Sequence, residues 1–172
     1  MPVALEDFKF VRASGLIDTL VDRGRLTAET IVDKNLLGQE GDAASLVLEH
    51  PKLPFISYPY EWCFSALKDA ALLQLDIQLE ALASDVTMTD ASSYNVQFLG
   101  SKPIFIDNLS FRRYREGEFW DGHRQFCEQF ANPLVLRSVL GVSHNAWFRG
   151  ALEGITAEDL SRMLPWRSRL SW

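Results

Sequence analysis

Asp90, Asn95 and Asp107 carry the clearest chemical possibility in this chain. Asn95 opens the alternating run Asn95-Val96-Gln97-Phe98, Gly100-Ser101-Lys102 supplies a turn, and Ile104 and Ile106 lie on the returning run that ends at Asp107. Alternation on both sides of a glycine-containing turn predicts an antiparallel hairpin. A three-residue turn sets Phe98 opposite Ile104, Val96 opposite Ile106 and Asn95 opposite Asp107 at the open end, where facing Cβ atoms stand about 5 Å apart. A turn one residue shorter or longer shifts the register but keeps the amide and the carboxylate at one end, with Asp90 a short loop upstream. An amide oxygen and a carboxylate so placed are hard oxygen donors suited to Mg²⁺ shared with substrate phosphates. A second carboxylate nearby can orient or deprotonate a hydroxyl. The chemistry implied is phosphoryl transfer. The same side chains also suit an architectural role, with Asp90 accepting loop N–H bonds and Asn95 and Asp107 closing the hairpin.

The pattern D-x-x-x-x-N, a short hairpin and then an Asp after apolar residues resembles the catalytic loop and metal-binding Asp of the protein-kinase and aminoglycoside-phosphotransferase superfamily. The resemblance covers roughly Tyr60 to Phe111. It implies Asp90 as catalytic base, Asn95 and Asp107 as Mg²⁺ ligands, ATP as phosphoryl donor and a small hydroxylated substrate. The sequence departs from that family at several points. Met88 stands where the family has His, and Asp107-Asn108-Leu109 replaces Asp-Phe-Gly. No Gly-rich phosphate loop precedes the region, and Lys9 lacks the surrounding pattern of a nucleotide lobe.

These side chains must be positioned by the elements around them. The segment from about Tyr60 to Ala83 has no internal Gly or Pro, and its apolar residues repeat at helical spacing. One stripe is Phe64, Leu67, Ala71, Leu75, Leu79 and Leu82, and a second is Ala66, Ala70, Leu73, Ile77 and Ala81. So wide an apolar face predicts a helix in the middle of a core. Upstream, Phe8-Lys9-Phe10 suggests a short strand, and Leu16, Ile17, Leu20 and Val21 a helix behind Ser14 that stops near Gly24. Thr27 is placed to cap another short helix through Ile31 and Val32, while Ser45 to Leu48 and Phe55 to Tyr58 read as strands around the Pro51–Pro54 turn. Downstream, Phe126, Phe130, Leu134, Leu136 and Leu140 suggest one or two helices broken near Pro133, and Thr156-Ala157-Glu158-Asp159 a capped helix. The fold expected is α+β: a reduced kinase-like lobe with N-terminal strands, a central buried helix, a hairpin and a mostly helical C-terminal third.

Composition limits the remaining functions. The 172 residues are 47% hydrophobic and 23% charged, as in a globular domain able to bury a core, and length suggests one domain over residues 1–172. A formal charge of −6 argues against a nucleic-acid footprint or a polybasic membrane surface. Cys63 and Cys127 lie far apart in apolar runs, which suggests reduced core thiols in a cytoplasmic protein. Neither a signal peptide nor a membrane-spanning run is visible. His50 and His144 lack acidic or Cys partners at metal-site spacing, and a lone His123 near a helix start more often bonds backbone or solvent. Arg112, Arg113 and Arg115 suit either an anionic ligand or a solvated turn balanced by Glu116 and Glu118, the latter being the commoner arrangement. Phe111, Tyr114, Phe119 and Trp120 suit a sugar or base platform less well than packing. Trp166, Leu170 and Trp172 suggest a chain that continues or an interface.

Four stretches, Phe55 to Trp62, Asp90 to Asp107, Arg124 to Phe130 and Trp147 to Gly150, resemble bacterial S-adenosylmethionine-dependent methyltransferase-type proteins of the family related to the nodulation protein NoeA. In that family the methyltransferase domain lies downstream of this region. The chain has no acidic-x-G-x-G-x-G loop after a strand, the turn such a cofactor fold uses to approach its ligand. The resemblance therefore implies a front, accessory or substrate-recognition domain partnered by a downstream methyltransferase domain. No cofactor is expected in this chain itself, and S-adenosylmethionine is expected only in the downstream domain.

Overall fold

The computed structural model describes residues 2–38 and 44–165, so the expectation for Trp166, Leu170 and Trp172 lies outside the described residues. It is an α+β arrangement of helices and three separate two-stranded antiparallel ribbons.

The chain opens with helices, not strands. α1 spans Pro2–Ala13, and Phe8, Lys9 and Phe10 all belong to it. Three alternating residues cannot outweigh the helical spacing of Leu5, Phe8 and Val11, and proline suits a helix's first position. Val11 is buried in the main core. α2, Leu16–Asp22, forms as its spacing predicts and buries Leu16, Ile17 and Leu20. Thr27 caps no helix. Its N–H donates to Phe105 O at 3.0 Å, and the chain continues into strand β1, Thr30–Val32, paired with β2, Val47–Glu49. Consecutive β-branched residues favour that outcome. Phe55 to Tyr58 is loop, not strand. Prolines at 51, 54 and 59 deprive this stretch of ladder donors.

The long helix, α3, spans Phe64–Leu82, and residues 59–61 before it form a separate 3₁₀ turn. It lies against the core on one side only. Leu67, Ala70, Ala71, Leu73, Ile77 and Ala81 are buried with Gln74 and Gln78, whereas Leu72 and Leu79 remain 52% and 66% exposed. The expectation of a centrally buried helix is thus half met. Of the stripe read as its first apolar face, only Leu67 and Ala71 reach the core; Phe64, Leu75, Leu79 and Leu82 face outward. Arg23 pairs with Glu80 at 2.7 Å, and Arg25 pairs with Asp76 and Glu80, tying the turn after α2 to the polar edge of α3.

Strand β3, Val86–Met88, pairs with β6, Phe111–Arg113, and β4, Val96–Leu99, with β5, Lys102–Phe105. The C-terminal part is helical. α4, His123–Phe126, runs through a π-helical turn at Cys127–Ala131 into α5, Asn132–Leu140, followed by α6, Asn145–Gly150, and α7, Ala157–Met163. Pro133 does not break this helix. It lacks an N–H and cannot continue the regular ladder, so the preceding turn widens. Asn132 N–H donates to Cys127 O, five residues back. The freed Glu128 carbonyl accepts Ile155 N–H at 2.8 Å, and Asn132 Nδ2 donates to Ile155 O at 2.7 Å. Gly154, at φ 86°, makes that approach possible, because a Cβ there would lie 2.2 Å from Glu128 O.

Candidate functional site

The hairpin forms with a two-residue turn rather than three, so the register shifts by one: Leu99 faces Lys102, Phe98 faces Pro103 and Val96 faces Phe105. Gly100 takes the left-handed conformation at φ 64° that such a tight turn demands. Asn95 and Asp107 still meet at the open end. Ile106 N–H donates to Asn95 O at 2.9 Å, and Asn95 Nδ2 lies 3.5 Å from Asp107 Oδ2. Asp107 also accepts Leu109 N–H on Oδ1 at 2.9 Å and the Ser110 hydroxyl on Oδ2 at 2.5 Å. Asp90 approaches from the preceding loop, but its Oδ1 accepts Ser92 N–H at 2.8 Å, organising its own turn.

These bonds bear on whether Mg²⁺ fits. The ion wants a near-octahedral shell of oxygens. Here both oxygens of Asp107 already accept protein donors, and Asn95 turns its NH₂ toward the carboxylate. An ion on Asp107 Oδ2 and the Asn95 amide would compete with the Ser110 and Asn95 bonds, while Oδ1 accepts only Leu109 N–H among the described residues. Among the described residues no group of three or more His, Cys, Asp or Glu side chains could hold a metal.

Glutamines fix this loop in place, and sequence reasoning passed over them. From α3, Gln78 Oε1 accepts Met88 N–H at 2.9 Å while its Nε2 donates to Thr87 Oγ1 at 3.1 Å, and Gln74 Nε2 donates to Ser92 O at 3.2 Å. From the opposite side, Gln125 Oε1 accepts Ala91 N–H at 2.8 Å. Gln129, buried in the π turn, accepts Ser93 N–H at 2.7 Å and the Ser93 hydroxyl at 2.8 Å. Gln97 pairs twice with the Ser57 backbone, at 2.9 and 3.0 Å. The available signal was Gln74 and Gln78 standing four apart on an otherwise apolar face, repeated by Gln125 and Gln129.

The other candidates fall into packing roles. Arg112 binds Glu118 and Asp121, each at 2.7 Å, which raises its pKa, the Glu118 hydrogen bond contributing most. Arg113 stacks over Phe10, 3.9 Å from its ring centre. Phe111 is core, Trp120 Nε1 donates to Met88 O at 2.8 Å, and Phe119 is exposed. The thiols are free, but neither is a core residue. Cys63 is exposed at the start of α3, where the Ser65 hydroxyl lowers its pKa, and Cys127 is half-buried, where burial raises it. His144 is fully buried against Phe148, and burial lowers its pKa. The Tyr94 hydroxyl is buried without a hydrogen-bond partner among the described residues, and burial raises its pKa.

The fold and this loop define an α+β chain whose hairpin end and upstream loop are locked by buried amides. No family model matches the chain, and no solved structure matches it. The chain is 46% identical over 159 residues to nodulation protein NoeA of Rhizobium meliloti (strain 1021). That alignment takes in 92% of the chain and 33% of the relative, so the chain spans about a third of the length of the curated protein it matches. Among the described residues no helix is long and apolar enough to cross a membrane.

Proposed function

We propose that this chain is an accessory or substrate-recognition domain of a NoeA-like, S-adenosylmethionine-dependent methyltransferase-type protein, with the methyl-transfer core elsewhere in that protein. The observation that carries this reading is the NoeA similarity itself, which runs through 92% of the chain yet only a third of the relative. The hydrogen bonds at Asp90 and Asp107 favour an architectural over a catalytic use of the acidic cluster. Calorimetric titration of the chain with S-adenosylmethionine is expected to give no saturable binding, while a NoeA-type protein from which this region is deleted keeps its affinity for the cofactor. Micromolar binding by the isolated chain, a free energy of roughly 8 kcal/mol, would sink the assignment.

A second reading, a Mg-ATP-dependent small-molecule phosphotransferase on a kinase-like lobe, draws on two observations. Asn95 and Asp107 do converge, and a long helix precedes their loop. Nucleotide titration with Mg²⁺ on the wild type, Asp107→Asn and Asp90→Ala separates the two readings. The expected result is equal, negligible binding and background phosphate release from all three. Metal-dependent binding lost in Asp107→Asn, with turnover lost in Asp90→Ala, would establish the phosphotransferase instead.

A further inference from the structure

A cleft of about 700 Å³ lies between the loop at residues 54–57, the start of α3 and the tip of the β4–β5 hairpin. That volume is in the range of small-molecule sites. Phe55, Trp62 and Phe98 supply its aromatic walls. Trp62 and Phe98 meet edge to face, with ring centres 5.2 Å apart, while Phe55 is 71% exposed. Two carboxylates, Glu61 and Asp69, share the cleft with these rings. Glu61 is pinned in place, because its Oε2 accepts Tyr58 N–H at 2.8 Å. The half-buried Asp69 carboxylate makes no hydrogen bond or ion pair among the described residues.

Charge and hydrogen-bonding capacity together select a ligand. Among the described residues the lining holds these two acidic side chains and no Lys, Arg or His. Lys68 and Lys102 adjoin lining residues in sequence but do not line the cleft, and Lys102 faces Leu99 on the hairpin side opposite Phe98. An anion would therefore meet carboxylates alone. The lining is also poor in donors. Trp62 Nε1, its one side-chain N–H among the described residues, already donates to Ser57 Oγ at 2.9 Å, and the Ser65 hydroxyl pairs with the Cys63 thiol at 3.1 Å. A sugar presents acceptors that need such donors. A cation with a hydrocarbon surface needs none, because carboxylates and aromatic faces both attract it.

We propose that this cleft binds a small organic ammonium ion, its charge held by the Asp69 and Glu61 carboxylates and its hydrocarbon surface against the aromatic walls. The inference is separate from the accessory-domain reading, since it needs neither S-adenosylmethionine nor a second domain. The test is NMR titration of the chain with choline, with its neutral carbon isostere 3,3-dimethyl-1-butanol and with methyl glucoside. Choline should bind saturably and at least about ten-fold more tightly than the isostere, which matches its shape without its charge. The exposed thiol of Cys63 lines the same cleft and reports occupancy. Saturating choline should slow its alkylation by iodoacetamide and leave that of Cys127, which is not among the lining residues, unchanged. Phe55→Ala and Asp69→Asn should each weaken choline about five-fold. Phe55 is exposed and Asp69→Asn keeps the side chain's shape, so both variants should fold as the wild type does. Equal affinity for choline and its isostere, tighter binding of the glucoside, no saturable binding, an unprotected Cys63, or choline affinity unchanged in either variant would each overturn the proposal.

Discussion

Gln129 and Gly154 show how much of this structure rests on single side chains that do no evident chemistry. Gln129 Oε1 takes Ser93 N–H and the Ser93 hydroxyl inside the protein. Truncating it strands both donors, so Gln129→Ala should cost about 2–3 kcal/mol, read as a lowered urea midpoint. Gly154 faces a stricter limit, because a methyl group would collide with the Glu128 carbonyl at 2.2 Å in a conformation of positive φ. Gly154→Ala should therefore be far more destabilising than Gly100→Ala, which meets no atom within 4 Å and should cost about 1 kcal/mol from backbone strain alone. Equal midpoints for the two glycine variants would contradict the close approach. At this scale the sequence was legible for Asn95 and Asp107, whose meeting survives a one-residue error in turn length. It was not legible for Gln129, since a polar residue's burial depends on what a distant segment brings to it.

The elements that were legible are those whose periodicity is long or whose boundaries are marked. α2 and α3, the hairpin and the helical C-terminal segment all appear where spacing places them. The errors fall on short runs, where three alternating or β-branched residues leave helix and strand close in energy and tertiary pairing decides. They also fall on the first apolar stripe of α3, because periodicity marks a face as apolar without saying which part of it the rest of the chain will cover. That distinction can be measured. Leu67→Ala on the covered side should cost about 2–5 kcal/mol, while Leu72→Gln and Leu79→Gln on the open side should each stay within about 0.5 kcal/mol. Large losses from the open-side variants would show that something covers that face in solution.

For the molecule as a whole, the described residues divide their buried apolar groups into a main cluster around α2, α3 and the β3–β6 ribbon and a smaller one of Leu136, Ile155 and Leu160. His144 links the helical end to the segment before α3, since its ring lies among the Pro59 and Trp62 backbone groups and Arg137. Burial, the largest influence, lowers its pKa below the usual value. The unfolded chain then takes up a proton near the ordinary histidine pKa of about 6.5 that the folded chain refuses, so His144 lowers stability progressively below that pH and contributes no such loss above it. Denaturant midpoints should fall between about pH 7 and 5.5, and the fall should shrink in His144→Gln. An identical pH dependence in both proteins would remove His144 as its cause.

The glutamine anchoring of residues 87–93 has a further consequence, which lies in what it omits. Gln74, Gln78, Gln125 and Gln129 hold this segment through neutral amides and hydroxyls. Amides do not titrate, and mobile ions do not screen them as they screen exposed charges. The arginine pairs of the surface should loosen in concentrated salt, whereas the loop carrying Asp90 should keep its shape. Apart from the Ser92 N–H accepted by Asp90 itself, its geometry is thereby decoupled from the ionic state of the solution around it.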